Sequence, residues 1–156
     1  MSNPIPELVS DLLFERWEAH ADLPALGYAG EDAYTYRETA SIVDALAWRI
    51  RDALPAAGAS ARSDASEPGA RVVILSENMP TWGIAYLAVN RAGCVVVPVL
   101  PDFPPADIAS IVGHAEPAAV FISKRLAPKA REAGLDVSKV AVFLLENLES
   151  IDSLDE

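Results

Sequence analysis

One cysteine and two histidines are all that this 156-residue chain contains of those residue types, and the scarcity removes several chemistries at once. Cys94 has no partner for an internal disulfide and lies in an apolar run, where a thiol behaves as a small buried hydrophobe. His20 and His114 each fall near a predicted helix C-terminus, where an imidazolium complements the helix dipole. So sparse a set gives no zinc-ligand spacing. There is no G-x-S-x-G, so the strained nucleophile turn of a hydrolase is missing. The glycines never form G-x-G-x-x-G or the G-x-x-x-x-G-K-S/T loop that cradles phosphates. Cations are scarce as well: twelve Lys and Arg face 23 Asp and Glu, a formal charge of −11. That balance argues against nucleic acid as a partner and against docking on anionic membranes. No apolar run approaches the ~20 residues of a membrane-spanning helix. The N-terminus has no basic-then-apolar secretory pattern. These absences predict a soluble, cytoplasmic protein.

What is present is an alternation. Val72 to Leu75, Cys94 to Val97 and Ala118 to Ile122 are short apolar runs rich in β-branched residues, as in strands covered on both faces. Pro80–Ala92 and Pro105–Ala115 are long enough to be crossover helices between them. Strand, helix, strand, helix, strand predicts an α/β, Rossmann-like parallel sheet of right-handed βαβ units. Val140 to Leu145 reads as a further strand, after a short helix over Pro128–Glu132 that stops at Gly134.

Upstream, Glu7 to His20 places Leu8, Leu12, Leu13 and Trp17 at helical spacing. Pro24 to Tyr36 has two strand-like arms around Ala29-Gly30-Glu31-Asp32, a β-hairpin pattern. Thr35-Tyr36-Arg37-Glu38 matches a capping box. The helix it opens carries Ile42, Val43, Leu46, Ile50 and Leu54 on one face, with Trp48 expected to pack beside them. Residues 55–70, PAAGASARSDASEPGA, are rich in Ala, Ser, Gly and Pro and read as an exposed, flexible loop. The last stretch, ENLESIDSLDE, is acidic and shows no element to pack against.

In an open parallel sheet a ligand approaches the carboxyl ends of the strands. Here those ends are Ser76–Asn78, Pro98–Asp102 and Ser123–Lys124. By position alone, Ser76, Asn78, Pro101 and Asp102 are the candidate substrate-lining residues. The reading preferred for Asn78 is a cap on the helix begun by Pro80. No residue stands out as catalytic, cofactor-binding or metal-ligating.

The run VVILSENMPTWGIAYLAVNRAGCVVVPVLPDFPPADIASIVGHAEPAAVFIS resembles the early part of the adenylate-forming (AMP-binding) enzymes, and most of all long-chain fatty acid–CoA ligases. The Leu8–Trp17 helix, Pro24-Ala25-Leu26, Thr35-Tyr36-Arg37-Glu38 and Pro68-Gly69 agree in order, so the resemblance spans Glu7 to Leu145. Two departures are the longer Pro55–Ala70 connection and Ala70, where an Asp is common. The resemblance implies that residues 1–156 are the N-terminal portion of a larger adenylating domain. It implies that the full-length enzyme uses ATP, Mg²⁺ and coenzyme A to convert a fatty acid through an acyl-adenylate to a thioester. The family's Ser/Thr/Gly-rich loop, its later nucleotide motifs and its catalytic lysine have no matching positions here. That loop is expected beyond Glu156, and the chain alone is expected to be inactive, with an unfinished sheet edge through which it could self-associate. The competing expectation is a stand-alone, non-catalytic α/β interaction module.

Overall fold

In the computed structural model, which describes residues 9–54 and 69–154, the apolar runs become strands at the expected places. In chain order the elements are α1 (Val9–Trp17), β1 (Pro24–Leu26), β2 (Tyr34–Thr35), α2 (Tyr36–Ala53), β3 (Arg71–Leu75), α3 (Pro80–Arg91), β4 (Val95–Val99), α4 (Pro105–Ala115), β5 (Ala119–Ile122), α5 (Ala127–Glu132), β6 (Ala141–Leu144) and β7 (Ser150–Ile151). β1 and β2 form the expected hairpin. The main sheet runs β4-β3-β5-β6-β7, with the first four strands parallel and β7 antiparallel to β6.

The chain leaves β3 for β4 on one side, then crosses back to place β5 on the other. Because each crossover is right-handed, that reversal puts α3 on one face and α4 on the opposite face. The period of two along each strand divides the core accordingly. Val72, Ile74, Phe121 and Phe143 face α2 and α3. Val73, Leu75, Val120, Ile122, Val142 and Leu144 face α4 and α5. Phe121 and Phe143 stack at 4.9 Å between neighbouring strands and are all but fully buried; truncating either to Ala costs about 3–5 kcal/mol.

α2 starts where the capping box predicts. The Thr35 hydroxyl accepts the Glu38 amide at 3.2 Å, and the Glu38 carboxylate accepts the Thr35 amide at 2.8 Å. The Thr35 amide, and the Thr35 hydroxyl donating to the same Glu38 oxygen at 2.9 Å, hold the Glu38 carboxyl below its ordinary range. Val43, Leu46, Ala47 and Ile50 then pack toward α3. At the start of β3 the backbone comes so close to the α3–β4 turn that a Cβ on Gly69 would lie 2.2 Å from the Gly93 carbonyl oxygen. Only glycine fits there.

Three expectations are corrected. The run Cys94–Val97 is not a strand covered on both faces: β4 is the sheet's edge, and Val95 is exposed. Trp48 lies 64% exposed on the outer side of α2 instead of packing, because its position falls off the helix's apolar stripe. The acidic tail does have packing partners. Ser150–Ile151 adds β7 to β6, and Leu148 and Leu154 are buried in the two cores. Beyond β6 the sheet ends in that two-residue antiparallel strand. Glu7, Leu8 and residues 55–68 lie outside the described residues.

Candidate functional site

The reversal of strand order creates a switch point between the carboxyl ends of β3 and β5, the place where open α/β sheets hold ligands. β3 delivers Ser76 and Glu77 to it, and β5 delivers Ser123, Lys124 and Arg125. The Ser123 hydroxyl, fully buried, donates to Glu77 Oε2 at 2.7 Å. Arg125 Nε donates to the other oxygen, Glu77 Oε1, at 3.0 Å. The next strand joins in, as the Lys124 amide donates to Glu146 Oε1 at 2.8 Å just after β6. Three strand ends are thus laced by two carboxylates.

Electrostatics follow from that geometry. Partial burial pushes the Glu77 carboxyl up, but the bonds from Arg125 and Ser123 and the nearby guanidinium charge outweigh it, and the net shift is downward. Glu77 is an anion at neutral pH with both oxygens occupied, and Arg125 is its counter-charge. Cys94 moves the other way: burial pushes its thiol up against a smaller pull from Arg51. It is a free, buried thiol, as its apolar neighbours predicted.

The sequence-derived candidates occupy the same end of the sheet but do not converge. Ser76 is buried, and its hydroxyl donates to the Glu77 carbonyl at 2.8 Å. Asn78 is exposed and does not cap α3: the N-cap is Met79, with no side-chain hydrogen bond, and Pro80 supplies the first turn. A cap at Asn78 would need the helix to begin one residue earlier. Pro101 and Asp102 lie in the turn after β4, on the far side of β3 from the switch point. The Pro101 carbonyl accepts Lys129 Nζ from α5. Among the described residues no hydrogen bond joins Ser76 or Asn78 to Pro101 or Asp102. Glu77, Arg125 and Glu146 were not singled out by the sequence. The signal was two polar strand-end triplets, Ser76-Glu77-Asn78 and Ser123-Lys124-Arg125, whose adjacency depends on strand order.

Among the described residues no three His, Cys, Asp or Glu side chains converge as metal ligands, and no helix is long and apolar enough to cross a membrane.

The family model described as AMP-binding enzyme matches residues 13–155. An octahydroindene-propanoyl:CoA ligase of Mycobacterium tuberculosis is 33% identical over 87 residues, 56% of this chain and 17% of that protein. An L-proline:L-prolyl-carrier-protein ligase of Streptomyces coelicolor is 29% identical over 102 residues, 65% of this chain and 17% of that protein. The solved structure of a candidate long-chain-fatty-acid CoA ligase from Rhodopseudomonas palustris superposes with a TM-score of 0.72 at 19% identity, covering 92% of this chain and 36% of that one. The chain therefore spans about a sixth of the curated relatives it matches, 17% of each.

Proposed function

Because the chain belongs to the AMP-binding enzyme family, we propose that residues 1–156 are the N-terminal scaffold of an ATP-dependent acid–thiol ligase acting in the cytoplasm. In the whole enzyme a carboxylate attacks the α-phosphorus of ATP, giving an acyl-adenylate as pyrophosphate leaves. The sulfur of coenzyme A then attacks the acyl carbon, AMP departs, and a thioester remains. A carboxylic acid substrate is supported by the relatives, whose names are those of propanoyl and prolyl ligases. The choice of a fatty acid rests on the resemblance of residues 72–123 to long-chain fatty acid–CoA ligases.

The observation that carries the scaffold role is the lacing of the strand ends. The crevice at the switch point is closed by Glu77 bridging to Ser123 and Arg125, so the guanidinium nearest the crevice is already matched by an anion. These residues do not fit a triphosphate or its Mg²⁺, and no step is assigned to them. Stabilising the charge on a transferring phosphoryl group needs such donors and metal ions. We place them in another part of the protein, with Ser76, Asn78, Pro101 and Asp102 shaping the rim that faces it.

The test is hexadecanoate-dependent ATP–pyrophosphate exchange. The chain alone is expected to give none above the blank. Residues 13–155, grafted in place of the matching segment of an active fatty acid–CoA ligase, are expected to keep exchange measurable. Exchange by the chain alone, or a folded graft with none, would overturn this reading.

A further inference from the structure

A second concavity lies between α2 and the turn that joins β6 to β7. It has a volume of about 400 Å³, within the range of pockets that hold small ligands. Ile42, Ala45 and Leu46 of α2 give it an apolar wall, and Arg49 and Leu148 line it as well. Glu146 is also on the lining, but its carboxylate is committed to the Lys124 amide at 2.8 Å.

Two observations point to an occupant. The first is a cation without a counter-charge. Arg37, Arg71, Arg91 and Arg125 each meet a carboxylate. Arg49 is half-buried and, among the described residues, pairs with none. It donates to the Leu148 carbonyl at 2.9 Å and lies 5.8 Å from the centre of the Phe143 ring. One neutral acceptor leaves most N–H donors of a guanidinium unused, and a cation partly withdrawn from water is costly to leave unmatched. The second observation is strain in the same lining. Leu148 has φ +61 with its side chain buried in the core, a left-handed conformation that leucine seldom adopts. Such strain persists where the surroundings impose it, and ligand clamps are among those places. Here Arg49 and the core hold Leu148, so the cavity is formed before anything enters it.

We propose that this cavity binds a small monocarboxylate with a compact apolar body. The carboxylate takes the remaining N–H groups of Arg49 side by side, a charge-assisted geometry that the guanidinium fork favours. The apolar body lies on Ile42, Ala45 and Leu46. A neutral apolar molecule would leave the cation unmatched, and a polyanion would be repelled by a chain of formal charge −11. The bond to Leu148 stays in place, since it occupies a single nitrogen, Nη1. This site does not depend on the ligase reading.

The test is titration of the ¹⁵N-labelled chain with cyclohexanecarboxylate, followed by amide shifts, against cyclohexanecarboxamide as the uncharged control. Saturable shifts are expected at Ala45, Arg49 and Leu148 with the acid, and none with the carboxamide. Ala45→Glu places a carboxylate at an exposed position one turn before Arg49. There it pairs with the guanidinium and should abolish binding while the fold is kept. Ala45→Gln should bind almost as the wild type does. Arg49→Lys keeps the charge but not the fork and should bind about tenfold more weakly. Equal binding of the carboxamide, undiminished binding by Ala45→Glu, an equal loss in Ala45→Gln, or no saturable shift at all would each overturn the proposal.

Discussion

Ser123, the residue after β5, donates its hydroxyl to Glu77, two residues beyond β3, at 2.7 Å. The two strands are neighbours in the sheet although 43 residues separate the end of β3 from the start of β5, from Leu75 to Ala119. A short side-chain bond thus closes the longest reversal in the topology.

That bond should be visible in stability and in its pH dependence. Ser123→Ala removes a buried donor to a charged acceptor and is expected to cost about 1.5–3 kcal/mol, read from the urea midpoint at neutral pH. The folded carboxyl of Glu77 titrates below its ordinary value of 4.5. Its contribution is therefore fully present above the unfolded value and is lost as pH falls through the lower folded one. The gap between wild type and Ser123→Ala should narrow on that acid limb. A gap that stays constant from neutral pH to pH 3 would show that Glu77 is not the acceptor that matters.

The edge strand makes a second prediction. The Val95 amide donates inward to the Ala70 carbonyl at 2.9 Å. Alternate residues of a parallel ladder donate to the same side, so position 98 points its main-chain nitrogen outward. Pro98 has no N–H to offer there, and proline on an edge discourages pairing with another chain. Pro98→Val is expected to leave the fold intact but introduce concentration-dependent association, measured by sedimentation velocity. If variant and wild type sediment alike over the same concentration range, proline is not what guards this edge.

A third concerns Thr39 in the first turn of α2, whose buried Oγ1 has no hydrogen-bond partner among the described residues. Valine has nearly the same shape and a similar helix propensity. Thr39→Val should raise stability by about 1 kcal/mol, since it removes an unpaired hydroxyl without opening a cavity. Equilibrium urea unfolding would show a higher midpoint at an unchanged slope. A lower midpoint would mean that the hydroxyl finds a partner in solution.

Much of this architecture could be read from local pattern. β-branched runs fix β3, β4, β5 and β6 to within a residue or two, Thr35 and Glu38 mark the start of α2, and Gly134 closes the segment after α5 with φ +80. These signals are contained within a few residues of sequence. The order of strands is not: Val95–Val99 and Ala119–Ile122 are both apolar runs, yet one lies at the edge and the other in the middle. For that reason local pattern locates the strand ends along the chain but does not show the partnership of Glu77 with Arg125. Trp48 failed for a different reason, since an aromatic beside an apolar stripe looks like core until the helix's rotation is known. The tail failed because β7 is only two residues long and takes its stability from β6.

Five of the described cations bond main-chain oxygens. Arg49 donates to the Leu148 carbonyl, Arg51 to Arg91 and Ala92 at the end of α3, Arg71 to Ala115 at the end of α4, Lys129 to Pro101 and Arg131 to Leu154. They act as staples on main-chain oxygens that helices and turns leave without partners. Their side chains are held where those carbonyls are, while the surplus of carboxylates remains to set the outward field. A triphosphate drifting toward this unit alone would meet repulsion over a Debye length of about 8 Å at physiological salt. On the proposed ligase reading, attraction for such a polyanion would come from cationic surface outside these residues.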